Sequence, residues 1–161
     1  YERVEMLRLL EGRVQIYLPD LKYYDSAFSA RYSAAPDYFA VAAQALREMF
    51  RQVGPVRFDE NGMLQSGMVV RHLVLPGAHK DSLRLLNWLA DNFSPEDIRL
   101  SLMSQYTPPA GIAIRELQRP IFTYEYRKAC ERAEKLGFLG YTQQRSSADA
   151  AYTPPFDGTG L

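Results

Sequence analysis

Three short stretches carry the residue types that could do chemistry. In Tyr17-Leu18-Pro19-Asp20-Leu21-Lys22, an acid and a base stand two residues apart. In extended chain they point the same way. Together they offer one acceptor and one cation to a zwitterionic or hydroxylated ligand; a surface ion pair at a loop fits the same spacing. Arg71 and His72 are neighbours inside the apolar run Met68–Leu75, so in a strand they face opposite sides. At least one then enters the interior, where a charge is costly unless paired. A salt bridge to Asp20 or Glu48 would satisfy Arg71, and His72 also reads as a hydrogen-bonded core histidine. The third stretch, Met103-Ser104-Gln105-Tyr106, ends a strand in hydrogen-bonding side chains. Gln105 and Tyr106 could meet a ligand there or cap the loop.

Other polar residues point less clearly to chemistry. His79 follows Pro76-Gly77 and reads as an exposed loop residue. Cys130 sits beside Ala129 and Ala133 and reads as a small packed side chain. The mixed run Arg127, Lys128, Glu131, Arg132, Glu134 and Lys135 reads as a solvated helix face. The sequence has no Gly-rich phosphate loop, no Ser nucleophile elbow and no HExxH-type metal motif.

The elements that must position these residues alternate in type. Val4–Leu10 has helical spacing with Gly12 as its stop, and Val14–Leu18 is a short apolar strand closed by Pro19. Tyr24–Tyr32 reads as a short helix or turn. Asp37 caps a long helix to Val53, with apolar positions recurring every three or four residues and Gly54 as its end. Asn61-Gly62 marks a small hairpin between Val56–Phe58 and Met63–Gln65, since both residues tolerate positive φ. Met68–Leu75 reads as a buried parallel strand. Asp81 caps a helix to about Phe93 with Leu83, Leu86, Leu89 and Trp88 inward. Ile98–Met103 is a strand and Thr123–Leu136 a charged amphipathic helix stopped by Gly137; the residues after Ser146 form an irregular tail.

This alternation predicts a parallel sheet with right-handed crossovers, and ligands then sit at the carboxyl ends of its strands. With about three main strands, the expected architecture is half of a barrel, in one domain over residues 1–161. The chain has 161 residues, and 19 Lys and Arg balance 19 Asp and Glu. A neutral chain has no global attraction to nucleic acid or to an anionic membrane. One cysteine rules out an internal disulfide and a metal site made of cysteines alone. No apolar run approaches the roughly 20 residues of a membrane span, and no signal peptide opens the chain, so the cytoplasm is the expected compartment. The first residue is Tyr1, which suggests a cut or trimmed N-terminus.

Five segments resemble a known family. Gly12–Tyr23 (GRVQIYLPDLKY), Met68–Gly77 (MVVRHLVLPG) and Ser101–Pro108 (SLMSQYTP), with Arg47–Gly54 and Phe156–Gly160, are similar to the C-terminal half of radical S-adenosylmethionine proteins. The likeness is to the pyruvate formate-lyase-activating-enzyme-like branch. It implies the C-terminal half of a partial (β/α)6 TIM-type barrel, parallel strands with flanking helices, opening inside the third helix. It also implies cofactor-binding roles for Asp20 and Lys22 on the fourth strand, Arg71 with its neighbour His72 on the fifth, and Gln105 and Tyr106 after the sixth. The family's full-length proteins use S-adenosylmethionine and a [4Fe–4S] cluster to make a 5′-deoxyadenosyl radical, in this branch to form a glycyl radical on a partner enzyme.

The pattern is incomplete here. Neither a CxxxCxxC loop nor a Gly-Gly-Glu segment is present, and one cysteine cannot supply three thiolates. This chain alone is therefore expected to hold no cluster, to bind S-adenosylmethionine weakly or not at all, and not to catalyse. Two other readings compete. One is a stand-alone half-barrel interaction module that self-associates through its open face. The other is an ordinary α/β hydrolase or aldolase built on Arg71, His72 and Asp20, which lacks any nucleophile motif.

Overall fold

The computed structural model describes residues 2–142; the tail 146–161 lies outside them. Elements alternate as expected. Helix α1 covers Val4–Arg8, β1 Ile16–Tyr17, α2 Ser26–Ser33 and α3 Tyr38–Val53. Strands β2 (Arg57–Phe58) and β3 (Leu64–Leu73) follow, then α4 (His79–Asn92) and β4 (Arg99–Met103). A single 3-10 turn at Arg115–Gln118 precedes α5 (Thr123–Lys135) and β5 (Gly140–Thr142).

The sheet order is β1-β3-β4-β5, with β2 paired to β3. The four strands of that order run parallel, while β2 runs antiparallel. This corrects the expected half of an all-parallel barrel: the sheet is open and mixed. The reason is local. Asp59 accepts the amides of Asn61 and Met63, both at 2.9 Å, and Gly62 takes φ 76°. That turn folds β2 back onto the first half of β3. The hairpin and the apolar run Met68–Leu75 are thus one strand, not two elements. Gly67 makes this possible: a Cβ there would lie 2.7 Å from the Val56 backbone, so only glycine lets the two segments cross this closely. Strand β5 was not foreseen either.

Consecutive parallel strands joined by right-handed crossovers place their helices on one side. That side carries Tyr17, Met68, Val70, His72, Leu100 and Leu102, all buried. Leu46 and Met49 of α3 and Leu85, Leu86 and Leu89 of α4 join them in the core. Leu85, not Leu83, takes the inner place on α4. The other face carries Leu18, Arg71, Leu73, Ser101 and Met103, none of them fully buried.

Two buried carboxylates tie strand ends to helices. Glu125 of α5 accepts the Gly77 amide at 2.7 Å, the Phe122 amide at 2.8 Å and both terminal nitrogens of Arg119. Burial alone would raise this acid, but those donors hold it at about 2. Asp81 does not cap its own helix as expected. Its oxygens accept the amides of Tyr24 and Asp25, each at 2.9 Å, so it clamps the segment after β1 to the start of α4. Burial is the main cause raising its pKa.

His72 is fully enclosed between the strand and α4. Its Nδ1 lies 2.7 Å from the Leu21 carbonyl oxygen and its Nε2 2.8 Å from Ser82 Oγ. A carbonyl only accepts, so Nδ1 carries the proton and the Ser82 hydroxyl donates to Nε2. Burial lowers the His72 pKa from 6.5 to about 4. The unfolded chain therefore gains a proton below its ordinary histidine pKa, and the folded chain does not. Stability is complete above pH 6.5 and falls as the pH drops toward 4, by about 3 kcal/mol for this group. Urea unfolding at pH 7 and pH 4.5 measures the slope, and the imidazole carbon shift of His72 followed against pH measures the pKa directly. An imidazole titrating near 6.5 contradicts this account.

Candidate functional site

The carboxyl end of β1 is built around a proline. Pro19 ends regular pairing because it has no amide to donate. The chain is picked up again by β3: the Arg71 amide donates to Pro19 O at 2.8 Å, and the Leu21 amide donates to Arg71 O at 2.9 Å. Asp20 and Arg71 form a parallel bridge. The Asp20 carbonyl and the Lys22 amide are taken by Tyr38, whose hydroxyl donates to Asp20 O and accepts the Lys22 amide, each at 2.9 Å. Burial pushes the Tyr38 phenol up to about 12, so it stays protonated and able to donate. Packing fixes the ring: Tyr23 meets it edge-on at 5.4 Å.

With its backbone held, the segment presents its side chains outward. Arg71 Nη2 lies 2.8 Å from Asp20 Oδ1, and Lys22 Nζ lies 3.9 Å from Asp20 Oδ2. The acid is 38% exposed, Arg71 44% and Lys22 50%. The pairs are thus open to solvent and to exchange for a ligand. They border a cleft of about 760 Å³ at the free edge of β1, which Tyr17, Leu18 and Tyr38 also line. Such a cleft, with the acids Glu2 and Asp20, the cations Lys22 and Arg71 and an aromatic and aliphatic wall, suits a zwitterion with an apolar or aromatic body.

The structure brings together Asp20, Lys22 and Arg71 and separates the other three predicted residues from them. The Arg71 partner is Asp20; Glu48 instead accepts from Arg51 and Gln52 of its own helix. His72 is 1% exposed and cannot touch a ligand in the cleft; it holds Leu21 from below. Gln105 is exposed, and the Tyr106 hydroxyl donates to Leu117 O at 2.8 Å. Neither lines the cleft. His79 is half-buried at the start of α4, with its ring edge-on to Tyr124, not an exposed loop residue. Cys130 is half-buried on α5 and packs against the core, and burial raises its thiol.

Sequence reasoning missed Tyr38, Tyr23 and Ser82. Tyr38 opens a helix directly after its cap position, and nothing in that spacing points to the segment sixteen residues earlier. Among the described residues, no three or more His, Cys, Asp or Glu side chains gather to hold a metal ion, and no helix is long and apolar enough to cross a membrane.

No family model matches the chain. It is similar to an uncharacterized protein of Methanocaldococcus jannaschii, at 25% identity over 138 residues. The match covers 84% of this chain but 36% of the relative, so the chain spans about a third of that protein's length.

Replacing Tyr38 by Phe keeps the ring and removes the hydroxyl. It leaves the Asp20 carbonyl and the Lys22 amide without their partner. The expected cost is about 1–3 kcal/mol in chemical unfolding, with faster hydrogen exchange at the Lys22 amide than at the Leu21 amide. Unchanged Lys22 exchange would mean that another group holds this segment.

Proposed function

We propose that this chain forms one wall of an S-adenosylmethionine site in a longer radical S-adenosylmethionine enzyme. One observation carries the proposal: Asp20, Lys22 and Arg71, three of the six residues named by the family resemblance, converge at the carboxyl ends of parallel strands beside one cleft. The similar archaeal protein is longer, and this chain spans about a third of it. The proposal rests on these strand-end residues and not on barrel architecture.

In this reading Lys22 meets the ligand's carboxylate and Asp20 its amino group. Arg71 orients the Asp20 carboxylate through the 2.8 Å contact. Tyr17 and Leu18 offer apolar surface to the rest of the ligand. Lys22 and Asp20 would hold S-adenosylmethionine, which would supply radical chemistry toward a substrate when bound. The residues present do not fit the [4Fe–4S] cluster itself, since the sequence has one cysteine and the cluster needs thiolates. Its ligands belong to chain outside this sequence, and a glycyl radical enzyme is the proposed protein substrate.

Two measurements test the reading. The gene upstream of the Tyr1 codon is expected to encode CxxxCxxC within about one hundred residues, given roughly 30 or more residues per βαβ unit; an upstream region without it sinks the proposal. Titration of S-adenosylmethionine into the isotope-labelled chain is expected to move the Asp20 and Lys22 amides with a Kd of ~1 mM or weaker, because the main anchor of the ligand is absent. Micromolar affinity abolished by Lys22→Ala would instead make this wall a complete site.

A second reading has its own observation. Leu10 is 41% and Leu18 56% exposed, and both line the cleft beside the free edge of β1. An open strand edge beside apolar side chains is a template for pairing, which supports an interaction module. Light scattering of this chain at micromolar concentration is expected to give a dimer or larger; a monomer at every concentration removes this reading.

A further inference from the structure

One wall of the cleft is only loosely tied to the core. Ser33, Ala34 and Ala35, at the carboxyl end of α2, line the cleft together with Tyr23 and Tyr38. Helix α2 has 8 residues, too few to be stable without partners, and among them Ser29 alone is buried. Its two ends are attached differently. At the start, the buried Asp81 carboxylate clamps the amides of Tyr24 and Asp25. Toward the end, the main tie is one carboxylate on the 3-10 turn. Glu116 forms an ion pair with Arg31, whose Nη2 donates to it at 3.1 Å, and accepts the Tyr32 hydroxyl at 2.9 Å. The Tyr23 hydroxyl and Ser33 Oγ lie 2.9 Å apart, and the half-buried Tyr32 ring meets those of Phe28 at 5.4 Å and Tyr23 at 6.2 Å. Glu116 is itself fixed: its neighbour Leu117 is buried, and the Leu117 carbonyl accepts the Tyr106 hydroxyl at 2.8 Å. The movable partner is α2.

We infer that α2 is a lid on the cleft and that Glu116 is its latch. When Arg31 and Tyr32 leave Glu116, α2 swings about the clamp at Asp81. Ser33, Ala34 and Ala35 then withdraw, and the mouth widens over Tyr23 and Tyr38. When the latch forms again, the cleft narrows around its contents. Two observations make opening cheap. The Arg31 side chain is 56% exposed, so water competes for the ion pair. Ala34, which ends α2, takes φ 51° and ψ 33°, a left-handed conformation that a Cβ disfavours, and movement of α2 relieves it. A short helix with one buried residue and an exposed tie is the kind of segment that opens locally while the rest of the fold stays closed. The latch also couples the cleft to the loop that follows β4. It stands without the adenosylmethionine reading, because it acts on whatever the cleft takes.

The test follows amide hydrogen exchange in the isotope-labelled chain, and line broadening by a soluble nitroxide. Glu116→Gln keeps the size of the side chain and removes its charge. It is expected to speed exchange of the Ala34 and Ala35 amides, which bond to Ala30 O and Ser29 O, by about tenfold. The Gly54 and Phe93 amides, at the ends of α3 and α4, are expected to keep their rates. In the same variant the nitroxide is expected to broaden the Tyr23 and Tyr38 signals more strongly than in the parent chain. Arg31→Gln breaks the latch from the other side and is expected to act in the same direction, which separates loss of the latch from damage to the turn that carries Glu116. Unchanged exchange at Ala34 and Ala35 in both variants overturns the latch. Faster exchange there without greater broadening of Tyr23 and Tyr38 overturns the lid, since α2 then frays without opening the cleft. Equal acceleration at Gly54 and Phe93 overturns it too, because α2 then opens only with the whole fold.

Discussion

The site depends on how the chain crosses Pro19. A proline at the end of β1 removes one donor from a parallel ladder that β3 needs. The ladder resumes past the proline: Arg71 donates to Pro19, and Leu21 donates to Arg71. His72 then takes the Leu21 carbonyl from the helix side, while Tyr38 takes the Asp20 carbonyl and the Lys22 amide. These bonds thus fix four consecutive positions from Pro19 to Lys22. What is left free is side chain, and it is charged.

The same arrangement divides the roles of neighbouring residues. Arg71 and His72 differ by one position and so by one sheet face. His72 points into the helical layer and is held neutral by its surroundings. Arg71 points to the uncovered face, where water screens its pair with Asp20. One is a support and the other a recognition group, although the two side chains are adjacent in sequence. Asp81 and Glu125 serve the opposite end of this logic. Each is a buried acid that gathers amides from the segments following a strand. They hold strand-end loops to α4 and α5, and so keep the carboxyl edge of the sheet fixed against the helices.

Much of the element pattern was legible because hydrophobic period and breakers act locally. The α3 helix ends at Gly54, as its apolar spacing and that glycine require, and α5 ends just before Leu136 and Gly137. The Asp59–Gly62 turn was legible for the same reason. Strand β5 was not, since three residues containing glycine carry almost no pattern of their own and form because β4 offers a free edge. Continuity of β3 through Ser66-Gly67 was also hidden. Those residues look like a break, and only the close approach of Val56 explains why a glycine sits inside the strand.

By itself the sequence determined the order of most helices and strands, that Arg71 and His72 must face opposite ways, and that Asp20 and Lys22 share a direction in extended chain. These follow from backbone periodicity, which needs no partner. The tertiary structure alone decided that Asp20 and not Glu48 pairs with Arg71, that Tyr38 completes the turn after Pro19, and that Gln105 and Tyr106 stand apart from the cleft. It also decided that the hairpin foreseen at Asn61-Gly62 runs on into the β3 ladder, making the sheet open and mixed where a half barrel was expected. Each of these depends on which distant segments meet. That is set by how the whole chain buries its apolar faces, a property no local window of sequence contains.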